Sequence, residues 1–220
     1  MITLIVMTDG RSGYLAQAMD SMHHLRGDVT RRVLHDDTGD VEHRSHLRRH
    51  YPGWDVIGPP RRAGFGGAYQ SAWEWLAHND DNRFVFSTEE DFVFTRDVDL
   101  AAMADVLTAR PYLSQLALRR QAWNPVEEAA GGVVEVNPDA YTEVTDGATW
   151  LEHRLFHTTN PSLMRREFVA AHPWPNVRQS EGIFAHGLFT DPDIRAGYWG
   201  GFESGQWVEH IGEVRTGRGY

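Results

Sequence analysis

The chain has 220 residues, of which 31 are acidic and 21 basic, and its formal net charge is −10. This length allows one domain with a substantial core, and the acidic balance argues against a general nucleic-acid binder that relies on a basic surface. The absence of cysteine excludes a disulfide framework, a thiolate zinc site and a cysteine nucleophile, and the absence of lysine excludes a Schiff-base lysine and a Walker-type phosphate lysine.

The first half of the chain alternates predicted strands with predicted helices. Short β-branched or aromatic runs predict strands at residues 2–7, 32–35, 54–57 and 83–86. Apolar residues at helical spacing predict helices at 14–25, with Ser12 as its cap, at 41–51 and at 68–78. Strands and helices that alternate in this way predict an α/β fold with a mostly parallel central sheet and helices on both faces.

The second half is less regular. It predicts a helix at 100–107, a strand at 115–118, a loop-rich segment at 123–146, short helices at 162–171 and 180–189, and a late strand at 196–199. We find no internal repeat and no linker, so the sequence predicts a single domain over residues 1–220.

The apolar start of the chain is short. Residues 1–7 are apolar, but the run stops at Thr8-Asp9-Gly10 and has no basic leader. A secretory signal or a membrane span needs a longer apolar stretch. We therefore expect a cytoplasmic protein without a membrane span.

Polar or glycine-rich loops follow each of the first four predicted strands. Ligands of an open parallel sheet bind beyond the carboxyl ends of its strands. Carboxylates beside two arginines are stabilised when a divalent cation and an anionic ligand, such as a diphosphate, complete the cluster. Taken singly, the acidic segments are also typical of solvated turns, and the glycine-rich segment of a helix start. The loops contain Thr8 and Asp9; Asp36, Asp37 and Asp40; Arg61, Arg62, Gly64, Gly66 and Gly67; and Glu89, Glu90 and Asp91.

Taken in order, these segments resemble a GT-A nucleotide-sugar glycosyltransferase, and most closely the large inverting family that includes the cellulose, chitin and hyaluronan synthases. Glu89-Glu90-Asp91 takes the place of that family's D-x-D motif, with glutamate in the first position. The other matching segments are residues 3–22 (first strand, loop and helix), 36–40 ("D-D-G-S-x-D"), 62–68 ("N-x-G-x-x-x-A"), 159–166 (acceptor side), 179–182 (helix start) and 210–212 (C-terminal histidine).

The resemblance implies a role for each matching residue on the donor side. Asp91 and His210 would hold a divalent metal, and the histidine favours manganese over magnesium. Asp9 and Asp37 would contact the nucleoside, and Glu89 would bond the ribose, or the metal through water. The implied donor-binding residues are Thr8, Asp9, Asp37, Arg62, Gly64, Glu89 and Glu90.

The resemblance also implies that Glu181 is the general base. In an inverting transfer, one carboxylate deprotonates the acceptor hydroxyl. A structural alternative is a carboxylate that the helix dipole favours at a helix N-terminus. Asp191 and Asp193 are other candidates, although their Asp-Pro-Asp setting is typical of a turn.

The resemblance therefore predicts a metal-dependent, inverting glycosyltransferase. It would move one sugar from a nucleoside-diphosphate sugar to a soluble acceptor, which is a small molecule, a glycan or a protein side chain. Residues 1–98 would bind the donor, and residues 99–220 would bind the acceptor and supply the base. One alternative is a sugar nucleotidyltransferase, for which residues 10–13 offer a short glycine-containing loop with Arg11 but no lysine. The other is a non-catalytic sugar- or protein-binding module on the same fold.

Overall fold

A computed structural model describes residues 1–212 of the protein. Its strands are β1 (Ile2–Thr8), β2 (Leu25–Arg26), β3 (Val29–Asp36), β4 (Asp55–Ile57), β5 (Phe84–Glu89), β6 (Phe92–Phe94), β7 (Val98–Asp99), β8 (Leu113–Ala117), β9 (Thr142–Asp146), β10 (Ala148–His153), β11 (Ser162–Arg165), β12 (Arg195–Trp199) and β13 (Val208–His210). Its α-helices are α1 (Ser12–Ser21), α2 (Val41–His50), α3 (Gly64–Asn79), α4 (Leu100–Ala109), α5 (Pro125–Ala130), α6 (Val133–Val136), α7 (Arg166–Ala171) and α8 (Ser180–Leu188).

Most of the strands lie in one large sheet. The described residues form a nine-stranded sheet in the order β4-β3-β1-β5-β11-β8-β12-β10-β9, with two separate pairs, β13-β6 and β2-β7. The four neighbouring strands β4, β3, β1 and β5 are parallel to one another, and β8 is parallel to β12. Only β10 and β11 run against the other strands of this sheet. The prediction of a mostly parallel sheet is confirmed.

The two faces of the sheet are both covered by helices. Alternate side chains of β1 enter different hydrophobic clusters, because successive residues of a strand point to opposite faces. Leu4 and Val6 pack in a cluster with α1, α2 and α4, whereas Ile5 and Met7 pack in a cluster with α3, α7 and α8. This burial on both faces explains why β1 is an uninterrupted apolar run rather than an alternating one.

The strand register brings the polar loops to one edge of the sheet. Thr8 at the end of β1 pairs with Asp36 of β3, and Met7 pairs with Glu89 of β5. The loops that follow β4, β3, β1 and β5 therefore lie side by side, in that order, at the carboxyl ends of the strands.

The structure corrects several of the predicted elements. The predicted helix at 162–171 is wrong in its first part, because Ser162–Arg165 form β11, which is fully buried between β5 and β8. The loop-rich segment at 123–146 contains α5, α6 and β9, which are too short to give a clear periodic pattern. Helix α1 begins at Ser12, so Ser12 is not its cap, and the cap residue makes no side-chain capping bond. Helix α3 begins at Gly64, before the predicted start.

The loop after β4 crosses the backbone of β3 at a glycine. Gly58 has φ +145°, and a Cβ at this position would lie 2.0 Å from the carbonyl oxygen of Asp36. Gly53 also has a positive φ, +88°, but a Cβ there would meet nothing within 4 Å. Gly58 is therefore required both by its backbone conformation and by a close approach, and Gly53 by its conformation alone.

We expect Gly58→Ala to lower the free energy of unfolding by about 3 kcal/mol, against about 1 kcal/mol for the matched control Gly53→Ala. The alanine at position 58 adds a backbone clash to the strain that both substitutions share. Urea unfolding of both variants measures the difference. Equal losses of stability would contradict the close packing of this loop against β3.

Candidate active site

Asp37 ties the end of β3 to the loop before α3. Its Oδ1 accepts a hydrogen bond from the Ala63 amide at 2.8 Å, and its Oδ2 accepts one from the Gly64 amide at 2.9 Å. Burial raises the pKa of Asp37, and the two amides offset part of that rise. The neighbouring acidic residues have other partners: Asp36 is buried and accepts from Thr38, and Asp40 caps α2.

Glu90 holds the loop that follows β1. It is fully buried, and its carboxylate accepts hydrogen bonds from the Thr8 hydroxyl, from the Asp9 amide at 3.2 Å and from Arg11 Nε at 2.9 Å. Burial raises the pKa of Glu90 to about 7. The contacts of Thr8 and Glu90 are thus with the protein's own loop, and the part they take in donor binding remains a prediction.

Arg11 is the centre of the carboxylate cluster. Its Nε lies 2.9 Å from Asp9 Oδ1 and 2.9 Å from Glu90 Oε1, and its Nη1 lies 2.8 Å from Asp91 Oδ2. Burial alone would lower the pKa of Arg11, but the three carboxylates more than offset this and raise it above its ordinary value. Arg62 completes the group from the next loop, with Nη2 at 2.9 Å from Asp9 Oδ2.

Asp91 and His210 meet because two short strands pair outside the main sheet. Strand β13 runs antiparallel to β6 and sets His210 opposite Phe92, so that His210 Nε2 lies 3.3 Å from Asp91 Oδ2. The imidazole lies between the rings of Phe92 and Trp123, at 4.7 Å and 4.4 Å between centroids. The side-chain amide of Gln121 bonds both backbone groups of His210. Burial would raise the pKa of Asp91, but His210 and Arg11 lower it below its ordinary value.

These residues fit a divalent ion only in part. Within residues 1–212, no group of three or more histidine, aspartate or glutamate side chains is arranged to hold a metal. Asp91 and His210 nevertheless offer two converging ligand atoms, and Asp91 Oδ1 is buried without a hydrogen-bond partner. A Cβ on Gly212 would lie 2.3 Å from Asp91 Oδ2, so glycine leaves this carboxylate room. The pair fits an ion that takes its other ligands from a bound diphosphate.

Glu181 is connected to Glu89 through Thr159 and Tyr69. Glu181 Oε1 accepts a hydrogen bond from the Thr159 amide at 2.9 Å. The Thr159 side chain interacts with Glu181, Tyr69 and Glu89, and the Tyr69 hydroxyl donates to Glu89 Oε1 at 3.0 Å. Burial raises the pKa of Glu181, and burial together with the charge of Asp91 raises the pKa of Glu89 to about 8.

Close packing against the first turn of α3 sets the position of Glu181. A Cβ on Gly66 would lie 3.1 Å from the Val177 carbonyl oxygen and 3.3 Å from Ser180 Oγ. The absence of a side chain therefore allows the segment before α8 to approach α3. Gln179, the residue before α8, has the left-handed φ of +59°. A strained residue next to a site candidate indicates that the surrounding packing fixes this turn.

The structure brings the predicted site residues into three groups of contacts, and the charges of Arg62 on Asp37 and of Asp91 on Glu89 act between these groups. Contacts link Asp37 to Gly64, Arg62 to Asp9, and Asp9 through Arg11 to Glu90, Asp91 and His210; Glu89 reaches Glu181 through Tyr69 and Thr159. Sequence reasoning missed the roles of Arg11, Tyr69, Gln121 and the Thr159 amide. Only Arg11 carried a usable signal, as a cation two residues after Asp9 at a strand end.

None of the helices within residues 1–212 combines the length and the apolar character that crossing a bilayer requires. No protein-family model matches the chain, and no curated protein matches its sequence.

Solved structures match the chain over almost all of its length. The mannosyltransferase PcManGT from Pyrobaculum calidifontis, in complex with GDP-Man and Mn²⁺, is similar with a TM-score of 0.65 and 15% identity, over 98% of this chain and 58% of its own. S. aureus TarS 1–349 gives a TM-score of 0.63 and 13% identity, over 96% and 60%. Its complex with UDP gives 0.60 and 14%, over 94% and 59%.

The chain thus spans less than two thirds of the length of the structures it matches. At this level of identity the likeness is one of fold. Together with the sheet order, it confirms the predicted GT-A fold.

Proposed function

We propose that the protein is a nucleotide-sugar glycosyltransferase that moves one sugar, with inversion, to a hydroxyl of a soluble acceptor. The observation that carries this proposal is the network at the carboxyl edge of the sheet. It contains a carboxylate–histidine pair and two arginines, and Glu89 lies close enough to feel the charges of both Asp91 and Glu181, the second carboxylate of the site. Both the fold neighbours and the residue chemistry support a donor with a diphosphate: PcManGT is described with GDP-Man and TarS with UDP.

On the donor side, Asp9 and Asp37 would contact the nucleoside, Arg62 the diphosphate and Glu89 the ribose. Asp91 and His210 would hold the divalent ion, with manganese favoured over magnesium because imidazole is a poor ligand for the harder ion. A bound divalent ion would neutralise charge on the departing diphosphate. Arginine side chains and backbone amides of the same loops would supply the remaining stabilisation, since the chain has no lysine.

On the acceptor side, Glu181 would take the proton of the attacking hydroxyl. The Thr159 amide orients its carboxylate by donating to Oε1. A pKa raised by burial brings a carboxylate closer to neutral pH, where a general base works best. A small molecule, a glycan or a protein side chain would each provide such a hydroxyl. The acceptor would bind to the second half of the chain, residues 99–220.

The reaction products test this proposal directly. The protein is incubated with Mn²⁺ and a panel of nucleoside-diphosphate sugars, and released nucleoside diphosphate is measured, with boiled protein as the control. We expect release from one donor, increased by the correct acceptor. Pyrophosphate release from a sugar phosphate and a nucleoside triphosphate would instead identify a nucleotidyltransferase. No turnover and no nucleotide binding would identify a non-catalytic module.

A further inference from the structure

Two side-chain nitrogen atoms converge on one oxygen atom of Asp91. Arg11 Nη1 lies 2.8 Å and His210 Nε2 lies 3.3 Å from Asp91 Oδ2. This oxygen and this imidazole nitrogen belong to the side chains that would hold the divalent ion. The guanidinium of Arg11 therefore takes up the space and the negative charge that such an ion would need.

Arg11 and Arg62 offset much of the negative charge of the carboxylates around them without any added ion. Its guanidinium contacts carboxyl groups of Asp9, Glu90 and Asp91, and Arg62 contacts Asp9 as a second cation. An ion that enters beside Asp91 would meet a positive charge within contact distance of its ligand. Repulsion at such a separation is strong in a partly buried site.

We propose that Arg11 keeps divalent metal away from Asp91 until a diphosphate binds, so that metal and nucleotide bind together. The second half of this inference rests on the proposed function; the first half does not. The planar guanidinium has more donors than its present carboxylates use, and it matches phosphate oxygens as well as carboxylates. Its side chain is 28% exposed, so part of it is open to a ligand.

A diphosphate at this edge of the sheet would change both the anionic partners of Arg11 and the ligands available to a divalent ion. It would offer Arg11 other anionic oxygens, and it would add the ligands that Asp91 and His210 lack. Binding of metal and binding of nucleotide would then favour each other, and the coupling must be the same in both directions. Arg11 would be the residue through which much of this coupling acts.

The first experiment uses Mn²⁺ alone, followed by the electron paramagnetic resonance signal of the free ion. Wild-type protein should bind Mn²⁺ weakly, and Arg11→Ala and Arg11→Gln should each raise the affinity by about tenfold or more. Arg62→Ala is the matched control: it removes one charge from the same cluster without touching Asp91, and it should change the affinity much less. Adding His210→Ala to Arg11→Ala should abolish the gain.

Circular dichroism verifies that each variant is folded, and the glutamine variant serves if the alanine variant is not. Unchanged Mn²⁺ affinity in a folded Arg11 variant, or an equal gain in Arg62→Ala, would overturn the proposal.

The second experiment adds GDP or UDP: nucleotide should raise the Mn²⁺ affinity more in the wild type than in Arg11→Ala. If Arg11 variants gain Mn²⁺ affinity but no nucleotide has any effect, the exclusion by Arg11 stands and the proposed function fails.

Discussion

Glu181→Gln should lower kcat by about 10²- to 10⁴-fold while leaving the affinity for the donor unchanged. Glutamine keeps the size of the side chain and an oxygen that accepts from the Thr159 amide, but it cannot take a proton. Initial rates at saturating donor and acceptor, with donor affinity from calorimetry, measure the two effects. The matched control is Glu42→Gln, which makes the same change in the first turn of α2, on an exposed side chain. Wild-type turnover in a folded Glu181→Gln protein would reject Glu181 as the base.

The pH profile gives the same assignment a second test. Below its pKa the carboxyl of Glu181 carries a proton and cannot accept another, so kcat should fall as the pH is lowered. Because burial raises this pKa, the midpoint of the fall should lie above 4.5, the ordinary value for glutamate. Thr158, Thr159 and Arg120 face the group and limit the rise. The acid limb should be absent from the residual activity of Glu181→Gln, and a limb that persists unchanged belongs to another group.

Asp91→Asn should lower kcat/KM by about 10³-fold, because it removes the negative charge that the proposed ion requires. Asparagine keeps the shape of the side chain, so the loss of kcat/KM reflects the missing negative charge and not a change in packing. Donor binding should weaken as well, and added Mn²⁺ should no longer strengthen it. Asp97→Asn is the control: it makes the same change on an exposed residue of the neighbouring loop, and it should retain wild-type kcat/KM. A folded Asp91→Asn protein with wild-type kcat/KM and Mn²⁺ response would contradict the proposed donor site.

The first half of the fold follows from local sequence. Its helices and its longer strands, β1, β3 and β5, are long enough to show their periods, and polar residues follow these strands. Strand β11 could not be predicted in this way. Its four residues are compatible with a helix, and only the pairing with β5 and β8 selects the extended form. Tertiary context decides such short segments.

Within the site, too, some residues could be predicted from the sequence, whereas others depend on tertiary contacts. The order and spacing of the motifs select Asp91, His210 and Glu181 as candidates, and their roles stay predictions. The contact of Arg11 with Asp91 could not be predicted, since it depends on how the loop after β1 folds over Glu90. The Thr159 amide is a backbone group, so no residue type marks it in a sequence.

The pairing of β13 with β6 has a consequence for how the protein loses its site. These strands have only three residues each and lie outside the nine-stranded sheet, and His210 is held to Gln121, 89 residues earlier in the chain. Contacts so distant in sequence form late in folding, because closing the intervening loop costs entropy first. A short peripheral pair also opens locally at a lower free energy than a buried sheet. We therefore expect the β13–β6 pair, and His210 with it, to open at a lower free energy than the nine-stranded sheet that carries the other residues of the proposed donor site.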